Sequence, residues 1–192
     1  CVQLKDKIYE ATSNTGELTN NKQTKINEWQ DLVYKITSSG TFALMEVKPD
    51  FVNSPPPSER LTGDIDIYFD NIIINDDPTP LGEQPEPIPE YEGILPEGFE
   101  GNKTLIDPLY YPERYGSFGQ ISDMSDLTVV DNPSKRGINT TNKCAKFIRK
   151  LNGNWWAGFY MVPKNSIVVD ETNKFFHVMA YRETEPTPLS LK

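Results

Sequence analysis

A proline-rich, acidic stretch divides this chain and limits how it can fold. Residues 76–96 read DDPTPLGEQPEPIPEYEGILP. Proline fixes φ and carries no backbone N–H, so a stretch this dense in proline cannot pair inside a sheet. Its prolines and acidic residues favour an extended spacer instead. We therefore divide the chain into residues 1–77, a linker at 78–96 and residues 97–192.

Short β-prone segments occupy both flanking parts. They are rich in Val, Ile, Phe, Tyr and Thr, and no long window repeats with a helical period. The sequence predicts an all-β protein with strands at 2–5, 28–36, 42–49, 65–74, 127–130, 145–151, 155–162 and 174–182. Many short strands with polar connections favour a β-sandwich or jelly roll. A second irregular stretch, 102–124, carries several aromatics and is interpreted as a long functional loop.

Composition narrows the class of partner. The chain has 192 residues, 36% of them hydrophobic, which is enough for a sizeable core. A net charge of −9 leaves no basic footprint for nucleic acid, and a neutral or cationic ligand fits better. The sequence contains no apolar run of about 18 residues, so it predicts no transmembrane helix.

The two cysteines do not indicate a disulfide framework. Cys144 is predicted to be a buried free thiol. Cys1 fits either the lipidated first residue of a mature lipoprotein or an internal residue of a longer chain. The alternation of residues 1–5 resembles a strand and favours the second interpretation.

Three motifs resemble those of the β-jelly-roll carbohydrate-binding modules of extracellular glycan-degrading systems in Gram-negative bacteria. They are GDIDIYFDNIIIN at 63–75, VDNPSKRGINTTNK at 130–143 and WWAGFY at 155–160, and they are joined by Phe99-Glu100-Gly101. In that family a segment like 63–75 is the closing strand and the "FE" segment is an opening one, so the order is reversed here.

The resemblance implies one galactose-binding-like jelly roll with permuted halves. Residues 1–77 would supply the second half and residues 97–192 the first. Pairing of the two halves within one chain is favoured because it buries both apolar faces without a partner. Swapping of halves between two copies is the alternative, since a hinge linker permits such exchange.

The resemblance also implies a structural calcium. Asp70 interrupts an apolar strand, and burial of an unpaired charge is costly. In the family, the acid of the closing strand and the glutamate of the opening strand hold calcium together with oxygens of the "DNP…GIN" loop. The matching residues here are Asp70, Glu100, Asn132 and Asn139. The alternative is that Asp70 only accepts backbone hydrogen bonds at a strand end.

Aromatic side chains are the candidate carbohydrate ligands, because an aromatic ring can stack on a sugar ring. Trp155 and Trp156 are neighbours in a predicted strand, so they point to opposite faces and only one can meet a ligand. Trp156 would share its face with Tyr160 and with Gly158, which should leave a groove between the two rings. The full predicted surface consists of Trp155, Trp156, Tyr160, Tyr181, Arg182 and His177, with Tyr110, Tyr111 and Tyr115 as its rim.

Two further aromatic or titratable residues receive structural interpretations. Trp29 matches a framework position of the family and is predicted to be buried. His177 is the only histidine, so it cannot form a conventional zinc site. A hydrogen-bonded structural role is the favoured interpretation for it, and a place on the ligand surface is the alternative.

These observations predict a non-catalytic, extracellular or outer-membrane-surface module that binds an oligosaccharide or polysaccharide. No nucleophile elbow, phosphate loop or Ser/His/Asp pattern is present, and the acids lack a recognisable arrangement for glycoside hydrolysis. The alternative function is a structural spacer or adhesin module of a cell-surface protein. Fold alone does not decide between them.

Overall fold

The computed structural model describes residues 1–8, 11–18, 23–49, 63–82, 94–101, 104–106, 114–119, 127–151, 153–154 and 156–184. Within these residues the chain is all-β and contains no helix. The strands are β1 (Val2–Lys5), β2 (Gln30–Lys35), β3 (Gly40–Phe42), β4 (Leu44–Val47), β5 (Ile65–Asn75), β6 (Tyr115–Phe118), β7 (Leu127–Asp131), β8 (Lys143–Arg149), β9 (Gly158–Met161), β10 (Ile167–Val169) and β11 (Phe175–Tyr181). This described part accordingly has no helix that is long and apolar enough to span a membrane.

The strands form two larger antiparallel sheets and one small one. The four-stranded sheet has the order β1-β4-β9-β6, and the five-stranded sheet has the order β2-β11-β5-β8-β7. β10 and β3 pair separately. Strands that precede the linker are therefore hydrogen-bonded to strands that follow it in both larger sheets: β11 lies between β2 and β5, and β4 pairs with β9. The permuted-halves interpretation of this interleaving stays a prediction.

The two larger sheets pack face to face around one apolar core. Phe159 of β9 reaches across to the five-stranded sheet, where its ring lies 5.1 Å from that of Phe69 and 5.2 Å from that of Phe147. All three side chains are buried. Such aromatic contacts add to the free energy gained by removing apolar surface from water. The predicted all-β class is confirmed, and the arrangement is compatible with a β-sandwich.

A second, smaller cluster lies on the outer face of the five-stranded sheet. Its buried members are Trp29, Tyr68, Cys144, Met179 and Tyr181. The partly buried side chains of Leu81, Val130 and Ile138 pack against them. The indole of Trp29 lies 5.4 Å from the ring of Tyr181. The predicted burial of Trp29 and of the free thiol of Cys144 is confirmed. This outer face is therefore closed by loops over much of its width.

Several strand predictions need correction. The predicted strand 42–49 is divided at Ala43, where the chain leaves the pairing with β10 and joins β1 and β9. The predicted strand 155–162 begins only at Gly158. β10 was not predicted, and β6 lies inside the stretch interpreted as a loop. Both are short, and their pairing partners are distant in sequence.

Candidate functional site

Asp70 lies at a β-bulge in β5. Phe69 and Ile72 both point into the main core, so the two residues between them lie on the outer face. The register with β11 shifts at this point, and Asn71 has a φ of 46°. Asparagine tolerates this left-handed conformation better than most residues do. The bulge thus presents two consecutive polar side chains, Asp70 and Asn71, on one side of the sheet.

The carboxylate of Asp70 is completely buried and is held by neutral donors. Its Oδ2 accepts hydrogen bonds from Asn139 Nδ2 at 2.8 Å and from Thr141 Oγ1 at 2.6 Å. Its Oδ1 accepts one from the Asn71 backbone N–H at 2.8 Å. Burial raises the pKa of Asp70 to about 7, although these hydrogen bonds oppose the rise, and the charge of Glu100 adds to it. Among the described residues no cationic side chain pairs with this carboxylate.

Oxygen atoms are crowded around Asp70. Thr141 Oγ1 lies 2.6 Å from Asp70 Oδ2, 2.6 Å from Asn139 Oδ1 and 3.1 Å from the Lys143 carbonyl oxygen. A hydroxyl has only one proton, so it can donate to one of these acceptors at a time. Asn71 adds a buried Oδ1 for which the described residues supply no hydrogen-bond donor. Asn139 Oδ1 also accepts the Thr141 N–H at 3.1 Å, so within the described part of this cluster Asn71 Oδ1 is the oxygen left without a donor.

Glu100 contacts the loop that carries Asn139 and Thr141, at the residues directly after Thr141. Its Oε1 accepts hydrogen bonds from the backbone N–H groups of Asn142 and Lys143, the latter at 2.6 Å. The approach is fixed by an isolated bridge in which Ile72 and Glu97 exchange backbone hydrogen bonds of 2.9 and 3.0 Å. Asp70 and Glu100, which were predicted to lie close together, therefore contact neighbouring positions: Asp70 contacts Thr141, and Glu100 contacts the two residues that follow it.

Asn132 acts as a brace of that loop. Its Nδ2 donates to Asn139 Oδ1 at 3.3 Å and to the Thr141 carbonyl at 3.1 Å. Its Oδ1 accepts from the Ser134 N–H at 2.8 Å and from Trp29 Nε1 at 3.2 Å. Because that oxygen is already satisfied twice, Asn132 positions Asn139 and Thr141.

The donor set around Asp70 suits a hard cation. Calcium binds carboxylate, amide, hydroxyl and backbone oxygens, and all of these types meet here. The described residues contain no group of three or more His, Cys, Asp and Glu placed to hold a metal. A cation at this place would therefore depend on the amide oxygen of Asn71 and the hydroxyl oxygen of Thr141 as much as on the carboxylates. Within the described residues Asn71 Oδ1 has no hydrogen-bond donor and Asp70 has no cationic partner, and both observations fit such an ion.

Three aromatic side chains form a platform on the outer face of the four-stranded sheet, at its β6 edge. We define the aromatic platform as Trp156, Phe118 and Tyr160. The planes of Trp156 and Phe118 differ by 14°, with their centroids 6.2 Å apart. Trp156 is 38% exposed, and the other two rings are half-buried.

Glycines set the position of the rings in the platform. Gly158 is paired with Phe118, and Gly116 with Tyr160. A Cβ atom at Gly116 would lie 3.0 Å from Tyr160 Cε1, and one at Gly158 would lie 3.1 Å from Phe118 Cζ. Each ring therefore packs across the glycine of the neighbouring strand, where any side chain would displace it.

The groove predicted beside Gly158 is absent. The space that its missing side chain leaves is taken by the ring of Phe118 and by the backbone of Val47 and Lys48. Trp156 precedes the strand, so the strand alternation assumed for the two tryptophans does not apply to it. Phe118 was missed because it was interpreted as part of a loop, and the sequence Tyr115-Gly116-Ser117-Phe118 carries no apolar–polar alternation that would indicate a strand.

The other predicted ligand residues do not join this platform. Tyr181, Arg182, His177 and Tyr115 are all buried. Tyr181 belongs to the outer cluster, and Arg182 donates to the Gln23 carbonyl at 2.8 Å. Tyr115 points into the main core. These four expectations are corrected, because loops and the opposite sheet cover positions that alternation alone leaves open. Trp155, Tyr110 and Tyr111 lie outside the described residues.

His177 has the structural role that the sequence favoured. Its Nδ1 lies 2.8 Å from Asp31 Oδ2, and its Nε2 lies 2.9 Å from the Asp77 carbonyl and 3.1 Å from Asn75 Oδ1. Asp31 Oδ2 also accepts the Leu81 N–H at 2.7 Å. The network ties β2 and β11 to the segment that follows β5.

Comparison of this chain with protein-family models, with curated proteins and with solved structures gives no match. The resemblance to carbohydrate-binding modules therefore rests on the motifs quoted above.

Proposed function

We propose that this chain is a non-catalytic, jelly-roll-type module that binds carbohydrate on the aromatic platform and is stabilised by calcium in the oxygen cluster around Asp70. The observation that carries the proposal is the platform itself, since Trp156 remains 38% exposed while its ring is fixed against Phe118. A large ring held open to solvent loses little conformational freedom when a ligand stacks on it.

The chemistry of the platform suits a neutral sugar. The C–H groups on one face of a pyranose ring can meet the negative π face of an indole. Asn154 lies exposed near Trp156, where its Nδ2 donates to the Gly119 carbonyl at 3.2 Å and helps to fix the turn. Its side-chain amide can exchange hydrogen bonds with sugar hydroxyls. The net charge of −9 disfavours polyanionic glycans through long-range repulsion.

Calcium would have a structural part in this function. Asp70 and Glu100 would hold the ion, and Asn132 and Asn139, whose Oδ1 atoms each already accept two hydrogen bonds, would position the loop. The ion would supply the positive charge that the buried carboxylate of Asp70 otherwise lacks. By fixing the 132–142 loop to β5, it would stabilise the sandwich on which the platform is built. An extracellular or outer-membrane-surface location is part of the proposal and fits a calcium-rich setting.

Glycan binding is tested by calorimetric titration of the protein with a panel of neutral and uronic-acid-containing polysaccharides. We expect binding to at least one neutral glycan. Trp156→Ala should weaken it about tenfold or more, which corresponds to about 1.4 kcal/mol of lost stacking. Leu151→Ala is the matched control, because Leu151 is 42% exposed and is not part of the platform.

Two results would contradict the glycan part of the proposal. One is that no glycan in the panel binds the wild-type protein, which would favour the structural spacer or adhesin module. The other is equal binding by the Trp156→Ala and Leu151→Ala variants, which would move the ligand away from the platform. Circular dichroism of both variants establishes that the fold is retained.

A further inference from the structure

The β-bulge in β5 gives the oxygen cluster a second side chain from the same strand. We infer that Asn71 is a direct ligand of the cation held at Asp70, through its Oδ1 atom. The inference rests on the calcium part of the proposed function and is independent of the glycan part. Sequence motifs did not indicate this residue, which is one position beyond the expected acid.

The first argument is the state of the Asn71 side chain. It is completely buried, and its Nδ2 donates to Met179 Sδ at 3.2 Å. Sulfur is a weak acceptor, so this orientation, with the amide N–H toward sulfur, is the favourable one. It leaves Oδ1 buried without a donor in the described part of the chain. A buried amide oxygen without a partner is costly, and such atoms in a native fold call for an explanation such as an ion.

The second argument is the backbone. In a regular strand, the residue after Asp70 would point into the core between the sheets. The bulge and the φ of 46° turn Asn71 to the outer face instead. Left-handed φ at a residue with a side chain is strained, and such strain is concentrated at functional sites. Glycine would adopt this conformation without strain, but it would supply no oxygen.

The third argument is the imbalance of charge and protons nearby. Within the described residues Asp70 is buried without a cationic partner, and the Thr141 hydroxyl faces acceptors on Asp70 and Asn139 with one proton to share. A cation bound by Asp70 Oδ2 and Asn71 Oδ1 would compensate the charge and give the amide oxygen of Asn71 a partner. Oxygen donors of this kind are the ligands that calcium prefers.

The test measures calcium affinity by calorimetry and by the melting temperature in calcium and in chelator. Asn71→Gly removes the oxygen and relieves the left-handed strain, so the fold is kept. We expect it to weaken calcium binding by about tenfold or more, since even loss of an outer-shell partner typically costs that much. Asn71→Asp keeps an oxygen in place and adds charge, and it should bind calcium more tightly than the wild-type protein does.

Asn27→Gly is the matched control. Asn27 also has a left-handed φ, of 58°, but it is exposed, and its contact with the 132–142 loop runs through its backbone carbonyl, which accepts from Arg136 at 3.1 Å and which glycine keeps. This variant should leave calcium affinity unchanged.

Three results would overturn the inference. If the wild-type protein binds no calcium, there is no ion to ligate, and the calcium part of the proposed function fails with it. If it binds calcium and Asn71→Gly binds equally well, the ion is held without Asn71. If Asn71→Asp does not change the affinity, its side chain does not face the ion. Glycan titration of the wild-type protein proceeds separately, so failure at Asn71 is distinguishable from failure at the platform.

Discussion

Asp31 and His177 form a buried pair in which the carboxylate oxygen and the imidazole Nδ1 lie 2.8 Å apart. Neither side chain is exposed. The second ring nitrogen also faces acceptors only, because it lies 2.9 Å from the Asp77 carbonyl and because the nearby Asn75 Oδ1 itself accepts the Asp77 N–H. When Asp31 is ionised, both ring nitrogens face acceptors and both must donate, so the arrangement favours the imidazolium form.

This pair predicts that the protein loses stability under alkaline conditions. Burial by itself lowers the pKa of His177, but the hydrogen bond and charge of Asp31, together with Asp77, outweigh it and raise the pKa above its usual range. A raised pKa stabilises the folded state fully below the unfolded value of about 6.5, and this contribution is lost as pH rises through the folded pKa. The melting temperature should therefore fall above about pH 7.

The measurement is a series of thermal melts between about pH 7 and pH 9, with the His177 ring followed by NMR. The chain has one histidine, so the signal is unambiguous. Asp70, whose burial raises its pKa to about 7, contributes a decline of the same sign that overlaps the start of this range, so the series is run in the Asp70→Asn background. In that background the double variant Asp31→Asn with His177→Gln should have a flat profile. A His177 signal that titrates below 6.5 would contradict the prediction.

Removal of calcium should destabilise the wild-type protein and not the Asp70→Asn variant. An ion present at about 100 times its dissociation constant adds about 2.7 kcal/mol to the free energy of unfolding, so chelator should lower the melting temperature. In chelator at pH 8, Asp70→Asn should be at least as stable as the wild-type protein, because the amide removes an uncompensated buried charge. Equal melting temperatures of the wild-type protein with and without chelator would contradict the proposed calcium site.

Gly158 predicts a steric limit at the aromatic platform. A side chain here would meet the Val47 carbonyl, the Lys48 Cα at 3.0 Å and the Phe118 ring, so backbone would have to move. Gly158→Ala should lower the free energy of unfolding by about 1 to 3 kcal/mol, and it should weaken glycan binding by displacing Phe118.

Gly63→Ala is the control for this substitution, because nothing lies within 4 Å of its added Cβ atom. Its effect should stay within about 0.5 kcal/mol in urea denaturation. Equal stability of the two variants would contradict the prediction, because it would mean that β4 and β9 can move apart at Gly158 without a loss of stability.

Much of the fold followed from local pattern. The strand 65–74 was predicted within one residue of β5, and Val2–Lys5 matched β1. The short strands were missed where pattern is weak: β10 has three residues, and β6 contains a glycine that local propensity disfavours. Both exist because a distant partner supplies their hydrogen bonds.

The residues of the candidate site were also predicted only in part. Asp70 was chosen because a carboxylate inside an apolar strand needs compensation, and Glu100, Asn132 and Asn139 were chosen from the family resemblance. The structure brings Asp70 and Glu100 to the loop that carries both asparagines. Tyr181 and Arg182 were placed on a ligand surface beside the aromatics, and this was wrong because both are buried. For His177 the ligand surface was only the alternative, and its buried hydrogen bonds agree with the favoured structural role.

The sequence alone determined which residues are apolar, which segments can extend as strands and where a charge would be hard to bury. Those properties belong to individual residues and their neighbours along the chain, and they are the same in any fold. Only the tertiary structure decided that the Asp70–Asn71 bulge turns two polar side chains to one face, and that Phe118 supports Trp156. Register shifts and the covering of a sheet face depend on contacts between distant segments, which no local pattern contains.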